Sequence, residues 1–213
     1  MDSRSQWWAP YNHALPPGYR QFLEAEAAAT TIRIFNYTVM PGLLQTEAYA
    51  TDVTRQFSPI LSNEDIGKRI ALRMERQWRL FERRPLPDVR VLIDESVLLR
   101  TIGSIQAHGE QLEHLLHLIQ ERRTTLQVLP FNAGRIWPLL NCLPFVLFET
   151  PQGSLLSMES ATSNDQLNTD NTFETSHFRG AFDDLSAQAL STKASRDLIA
   201  SLRSKLQSQN QQP

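Results

Sequence analysis

Two sets of charged side chains carry the chemistry this sequence could do. Asp94 and Glu95 close the strand-like run 88–93 (DVRVLI), and Glu149 and Glu159 end two later strand-like runs. In an open α/β sheet, the crevice beyond the strand carboxyl ends is the usual ligand site. Carboxylates converging there could act as general acid and base or hold a hard cation. Asp94, Glu95 and Glu159 are therefore the catalytic set if the chain is an enzyme. The plainer reading has Glu95 capping the next helix or pairing with Arg73, since no second catalytic residue type stands beside the carboxylates.

The second set is Arg69, Arg73 and Arg76, on a helix expected over 63–83. At 100° per residue Ile66, Ile70, Met74, Trp78 and Phe81 form one apolar face. The arginines, with Arg83, line one edge of that face rather than its opposite side. Arg73 falls on the apolar border, and a partly buried guanidinium needs an acceptor. Arg69, Arg73 and Arg76 could therefore hold an anionic ligand or an acidic partner. The plainer alternative is internal salt bridging, to Glu47 or Glu95.

Other residue types point away from catalysis. The segment His108-Gly109-Glu110-Gln111-Leu112-Glu113-His114-Leu115-Leu116-His117 lacks the His-Glu-x-x-His spacing of zinc peptidases. On a helix it turns Leu112, Leu115, Leu116 and Ile119 inward and His114 and His117 outward, with His108 on the apolar side as a core histidine. Cys142 stands among apolar residues and reads as an inert buried thiol. There is no glycine-rich phosphate loop and no Cys-x-x-Cys pair. Neither a metal nor a cofactor is expected. Trp7, Trp8 and Tyr11 form an aromatic cluster that either anchors the terminus or meets a partner.

These residues need elements to hold them. Pro16-Pro17-Gly18 breaks the chain before an alanine-rich helix over 19–29. The run 30–40 (TTIRIFNYTVM) is β-branched and aromatic, hence extended. A short helix over 43–53 follows the Pro41-Gly42 turn, and Ser62 with Asp65 makes a capping box for the 63–83 helix. Strands over 88–93 and 125–129 flank a helix over 104–121, which implies a parallel pair with a crossover. Strands over 145–149 and 155–159 surround Pro151-Gln152-Gly153, a hairpin signal. A polar loop over 161–172 leads to helices over 173–189 and 192–206, with Ser191 between them as a cap. The phenylalanine face Phe178-Phe182-Leu185 and the stripe Ala194-Leu198-Leu202-Leu206 pack these helices on the core.

The expected fold is α/β (α+β): a small mixed sheet with a strand–helix–strand unit and a hairpin, flanked by helices, with helical N- and C-terminal annexes. One unit over 1–207 is expected. It comprises a helical and extended lead-in over 7–60, an α/β core over 61–160 and a helical annex over 173–207, before a disordered tail over 208–213. A single cysteine excludes an intrachain disulfide and fits a reducing compartment. No apolar run marks a secretory signal or a membrane span, so a soluble, cytoplasmic protein is expected. The net charge of −2 leaves no cationic surplus for phosphate neutralisation, which argues against nonspecific nucleic-acid binding as its main work.

Five segments in order carry a family resemblance: Trp7-Trp8, Pro41-Gly42-Leu43-Leu44-Gln45-Thr46-Glu47-Ala48-Tyr49, Arg73-Met74-Glu75-Arg76-Gln77, Ile93-Asp94-Glu95-Ser96-Val97-Leu98 and Leu126-Gln127-Val128-Leu129-Pro130. From about Trp7 to Leu202 the chain resembles the C-terminal domain, long of unknown function, of Xre-type helix-turn-helix, antitoxin-like transcriptional regulators. That resemblance implies a module that receives a signal and works beside a small companion protein in a toxin–antitoxin-like pair. No helix-turn-helix pattern precedes Trp7, so direct DNA binding is not expected of this chain. The ligand- or partner-binding set on this reading is Arg69, Arg73, Arg76, Gln77, Gln45, Glu47, Trp7 and Trp8. The alternative is a stand-alone small-molecule-binding protein or biosynthetic enzyme, with Asp94, Glu95 and Glu159 as acid or base and Arg73 orienting an anionic substrate. The strand–helix–strand pattern is also similar to phospholipase-D-like sensor domains, but the His-x-Lys pair their chemistry requires is absent.

Overall fold

A computed structural model describes residues 7–11, 15, 18–57, 59–134, 143–158, 166–168 and 172–210. Its helices are α1 (Tyr19–Ala28), α2 (Glu47–Phe57), α3 (Asn63–Phe81), α4 (Glu95–Leu99), α5 (Ile105–Gln120), α6 (Thr172–Gln188) and α7 (Thr192–Asn210). Its strands are β1 (Thr31–Asn36), β2 (Asp88–Asp94), β3 (Thr125–Leu129), β4 (Phe145–Thr150), β5 (Gly153–Met158) and β6 (Gln166–Asn168). They form one six-stranded sheet in the order β3-β2-β1-β4-β5-β6.

The sheet is mixed because its connections differ in length. β1, β2 and β3 are parallel, and parallel neighbours need crossovers, here supplied by α2 with α3 and by α4 with α5. β4 and β5 are joined by the two residues Pro151-Gln152, with Thr150 opposite Gly153, so they pair antiparallel. Gly153 takes φ 139°, which an L side chain rarely adopts. The expected mixed sheet, strand–helix–strand unit, hairpin and flanking helices are all present.

Strand residues alternate between two cores. One face presents Phe35, Leu92, Leu129, Phe145, Leu147 and Leu156 to Phe178, Phe182 and Leu185 of α6. The opposite face presents Ile32, Ile34, Val91, Ile93, Val128 and Phe148 to residues of α1, α5 and α7, among them Leu23, Leu112, Leu115 and Ile199. The β3 edge is covered rather than open. Leu190 donates its N–H to the Val128 carbonyl at 2.9 Å, and the Val128 N–H donates to Ser195 Oγ at 3.0 Å. Ser191 caps α7 by accepting from the Ala194 N–H at 3.2 Å.

Several boundaries differ from expectation for identifiable reasons. The expected helix over 43–53 is broken into a 3-10 turn, Gly42–Leu44, an extended Gln45, and α2 from Glu47. Side chains from two other helices hold that break open, as described below. β1, the extended part of the lead-in over 7–60, lies in the middle of the sheet. A short edge strand, β6, interrupts the polar stretch 161–172, and α7 continues to Asn210, into the tail expected to be disordered. Among the described residues, no helix is long and apolar enough to cross a membrane.

Candidate functional site

Helix α3 organises the residues that the sequence singles out. Ser62 caps it, accepting from the Asp65 N–H at 3.1 Å while its hydroxyl donates to Asp65 Oδ2 at 2.6 Å. The buried side of α3 holds Ile66, Ile70, Leu72, Arg76, Gln77, Leu80 and Phe81. Trp78, expected on the apolar face, is 62% exposed. The face is rotated because two polar side chains, Arg76 and Gln77, are drawn inside.

Arg76 makes a forked ion pair with Glu26 of α1. Its Nε donates to Glu26 Oε1 and Oε2 at 2.8 and 2.9 Å, and its Nη2 to Oε2 at 2.6 Å. Nη1 donates to the Tyr19 hydroxyl at 3.2 Å, and the guanidinium lies 4.7 Å above the Phe22 ring. Burial alone would pull the Arg76 pKa down. The adjacent Glu26 charge, Tyr19 and their hydrogen bonds outweigh it and hold the pKa above the ordinary arginine value. Arg76 therefore serves the interior, and its acceptor is Glu26 rather than Glu47 or Glu95.

Gln45, Arg73 and Gln77 form a second interior network around the Pro41–Thr46 turn. Gln77 Nε2 donates to the carbonyls of Gly42 and Gln45 at 2.7 and 2.9 Å, and Gln45 Nε2 to the Met40 carbonyl at 2.6 Å. Arg73 Nη1 donates to Gln45 Oε1 at 2.9 Å and to Thr54 Oγ1 at 3.4 Å. From α5, Gln111 donates to the Leu44 carbonyl at 2.6 Å and accepts from the Thr46 N–H at 2.8 Å. The Met40 N–H donates to the Tyr49 hydroxyl at 3.2 Å. These amides take up main-chain groups that a continuous helix would have paired, so the chain stays extended at Gln45. Arg69 is half-buried, and its buried Nε has no hydrogen-bond partner among the described residues.

A groove of about 660 Å³ opens between the N-terminal segment, α1 and the C-terminal half of α3. Trp7, Leu23, Ala27, Trp78 and Leu80 supply its apolar surface, and Glu26, Arg76, Arg79, Glu82 and Arg83 its charges. Trp8 anchors the N-terminal wall at 3% exposure, with Trp7 edge-on to it at 5.7 Å. Tyr11 donates its hydroxyl to Glu75 Oε2 at 2.8 Å, a bond that raises the phenol pKa, with burial adding to the effect. Arg79 donates to Glu75 Oε1 at 2.7 and 2.9 Å and lies 5.0 Å from the Trp7 ring and 5.8 Å from the Trp78 ring. Of the sequence-derived binding set, only Trp7 and Arg76 line this groove. Arg79, Arg83 and Trp78 line it too; periodicity set Trp78 on the apolar face and Arg83 at its edge and did not single out Arg79.

Glu47 lies elsewhere, in a shallow depression of about 620 Å³ between α2 and α5, with Asp52 and Glu110. Of the carboxylates named as a catalytic set, the described ones each accept a main-chain N–H. Asp94 accepts from the Ser96 N–H at 2.9 Å as the cap of α4, and Glu95 Oε2 accepts from the Phe131 N–H at 2.9 Å. The expectation that Glu95 caps the next helix is corrected: Asp94 does so. Glu149 is held by Arg33 at 3.1 Å, Arg179 at 2.9 Å and the Ser154 hydroxyl at 2.5 Å. Burial pushes its pKa up, but the Arg179 and Ser154 hydrogen bonds and the two guanidinium charges prevail and hold it below the usual carboxylate value. Glu159 and Cys142 lie outside the described residues.

The histidines divide. His108 is buried, with Nε2 2.9 Å from the Leu98 carbonyl, and its pKa is lowered by burial, partly offset by that bond. His114 is half-buried rather than solvated, and burial, then the neighbouring His117 charge, lower its pKa.

A mixed sheet with helices on both faces, and an aromatic, cationic groove beside it, places the chain among α+β domains built around an open sheet. It belongs to DUF5753, a domain family of unknown function whose model matches residues 19–201. That span includes α1 and α3 but stops short of Trp7 and Trp8. No curated protein and no solved structure matches the chain.

Proposed function

We propose that the chain is a non-catalytic regulatory and interaction module that binds a small companion protein, or a signal ligand, through the groove of Trp7, Trp78, Arg79 and Arg83. The sequence resemblance to the C-terminal domains of Xre-type, antitoxin-like regulators supports a companion of the toxin–antitoxin type, met in the cytoplasm. The observation that carries the reading is Trp78, exposed at the lip of a groove whose other wall is a second tryptophan. Tryptophan and arginine dominate binding hot spots, and a tryptophan left in water on a packed helix gains most from being covered. DNA and membrane binding are no part of this reading.

Less supports the enzyme alternative: Asp94 accepts the Ser96 N–H, Glu95 accepts the Phe131 N–H, and neither lines the groove.

Native mass spectrometry of the tagged chain isolated from its own host, wild type beside Trp78→Ala, tests the proposal. A small protein at fixed stoichiometry, lost in Trp78→Ala, is the expected result. A bound mass of a few hundred daltons, retained equally in both proteins, overturns it.

A further inference from the structure

We propose that the groove is built for an acidic peptide segment of the partner: one apolar side chain seated between Trp7 and Trp78, and a flanking carboxylate on the Arg83 guanidinium. This rests on the interaction-module reading and specifies what such a module recognises.

The charges around the groove are not balanced. Arg76 and Glu26 satisfy one another in the floor, with side-chain exposures of 8% and 5%. Arg79 is bound to Glu75, whose second oxygen takes the Tyr11 hydroxyl. Glu82, the remaining carboxylate of the groove, faces Arg123 at 3.5 Å and Arg84 at 4.0 Å. Arg83 donates Nη1 to the carbonyls of Glu26 and Ala29 at 3.2 and 3.0 Å and forms no ion pair with a described residue. Among the lining residues three guanidiniums, Arg76, Arg79 and Arg83, thus stand against two carboxylates, Glu26 and Glu82, in a chain whose net charge is −2. The local field is opposite in sign to that of the whole chain, so an acidic segment is drawn here and a basic one is repelled.

The apolar half of the groove excludes a bare anion as its ligand. Trp7, Leu23, Ala27, Trp78 and Leu80 make up half of the lining, and Trp78 gains only if something apolar covers it. The Arg79 guanidinium, paired with Glu75, lies 5.0 Å from the Trp7 ring and 5.8 Å from the Trp78 ring, so both indoles gather on one cation. A volume of about 660 Å³ accommodates a few side chains, not a folded domain. A nucleic acid fits less well, because phosphate recognition needs several uncommitted cations along a track and this groove offers Arg83.

The test is fluorescence anisotropy on the full chain with a labelled peptide, Glu-Asp-Glu-Leu-Phe-Glu-Asp-Glu, its counterpart with every acid replaced by lysine, and an eight-nucleotide thymidine oligomer. The acidic peptide is expected to bind with Kd below about 1 mM and to weaken as salt rises. Trp78→Ala and Arg83→Met should each weaken it about tenfold or more. Trp78 is exposed, so its variant keeps the fold. Arg83→Met is read only if its thermal midpoint matches wild type; otherwise Trp78→Ala and the salt series decide. No binding of the acidic peptide, binding indifferent to Trp78→Ala, or preference for the lysine peptide or the oligomer overturns the inference. If the acidic peptide fails while a companion still co-purifies through Trp78, the acidic-segment inference falls and the module reading stands. If the peptide binds but no companion co-purifies, the reverse holds.

Discussion

Arg76 and Glu26 lie fifty positions apart in sequence and meet through three hydrogen bonds of 2.6–2.9 Å, bolting α3 to α1 beneath the groove. The pair fixes the distance between α3, which carries Trp78 and Arg79 and leads into Arg83, and α1, which carries Leu23 and Ala27. The arginine that sequence spacing offered as a ligand-binding residue thus shapes the site from below. The half-buried cations of the groove sit further on, Arg79 one turn along α3 and Arg83 just past its end.

Removing one partner of that pair leaves a buried, uncompensated charge. Arg76→Ala or Glu26→Ala should therefore lower unfolding free energy by about 3–5 kcal/mol, read from urea denaturation. The double variant Arg76→Met with Glu26→Leu should lose less than either single change, because no charge stays buried. Equal losses in single and double variants would show that packing, not charge pairing, dominates.

Gln111 is fully buried and serves both the Leu44 carbonyl and the Thr46 N–H. Gln111→Leu keeps its bulk but orphans both groups, at about 1–3 kcal/mol each. The same urea series should register that loss, together with faster hydrogen exchange at Thr46. Unchanged exchange there would mean that the main chain has found another partner.

Stability should also fall in mild acid. His108 and His114 have pKa values lowered from 6.5, chiefly by burial. As pH drops below about 6.5 the unfolded chain takes up protons that the native one refuses, so unfolding free energy decreases until the folded pKa values are reached. The urea midpoint should therefore be lower at pH 5 than at pH 7, and His108→Gln should flatten that slope. Glu149 acts in a lower window: its depressed pKa gives stability that is present above 4.5 and lost as pH falls below it. A midpoint flat from pH 7 to pH 5 contradicts the histidine assignment.

The sheet was legible because its strands announce themselves: β-branched and aromatic runs at Thr31–Asn36, Asp88–Asp94 and Thr125–Leu129, with Pro151-Gln152 between two more. The site was less so. Periodicity placed Trp78 inside because it counts hydrophobicity, and it had no means to know that Arg76 and Gln77 would take the interior. Glu26 gave no signal, since a glutamate in an alanine-rich helix reads as solvated until α3 is laid across it. The break at Gln45 was hidden for the same reason: its cause lies in Gln77 and Gln111, far along the chain. Trp7 and Trp8 were visible as a cluster, but the contact of Trp7 with Arg79 was not.

The central claim is that a partner binds in the groove between the N-terminal tryptophans, α1 and α3. Hydrogen–deuterium exchange of the chain, alone and with the companion that co-purifies with it, tests this most directly. Slowed exchange confined to residues 7–11, α1 and the Trp78–Arg83 stretch is the predicted result. Slowed exchange at the strand carboxyl ends, around Asp94, Glu95 and Phe131, with the groove unchanged, would contradict it.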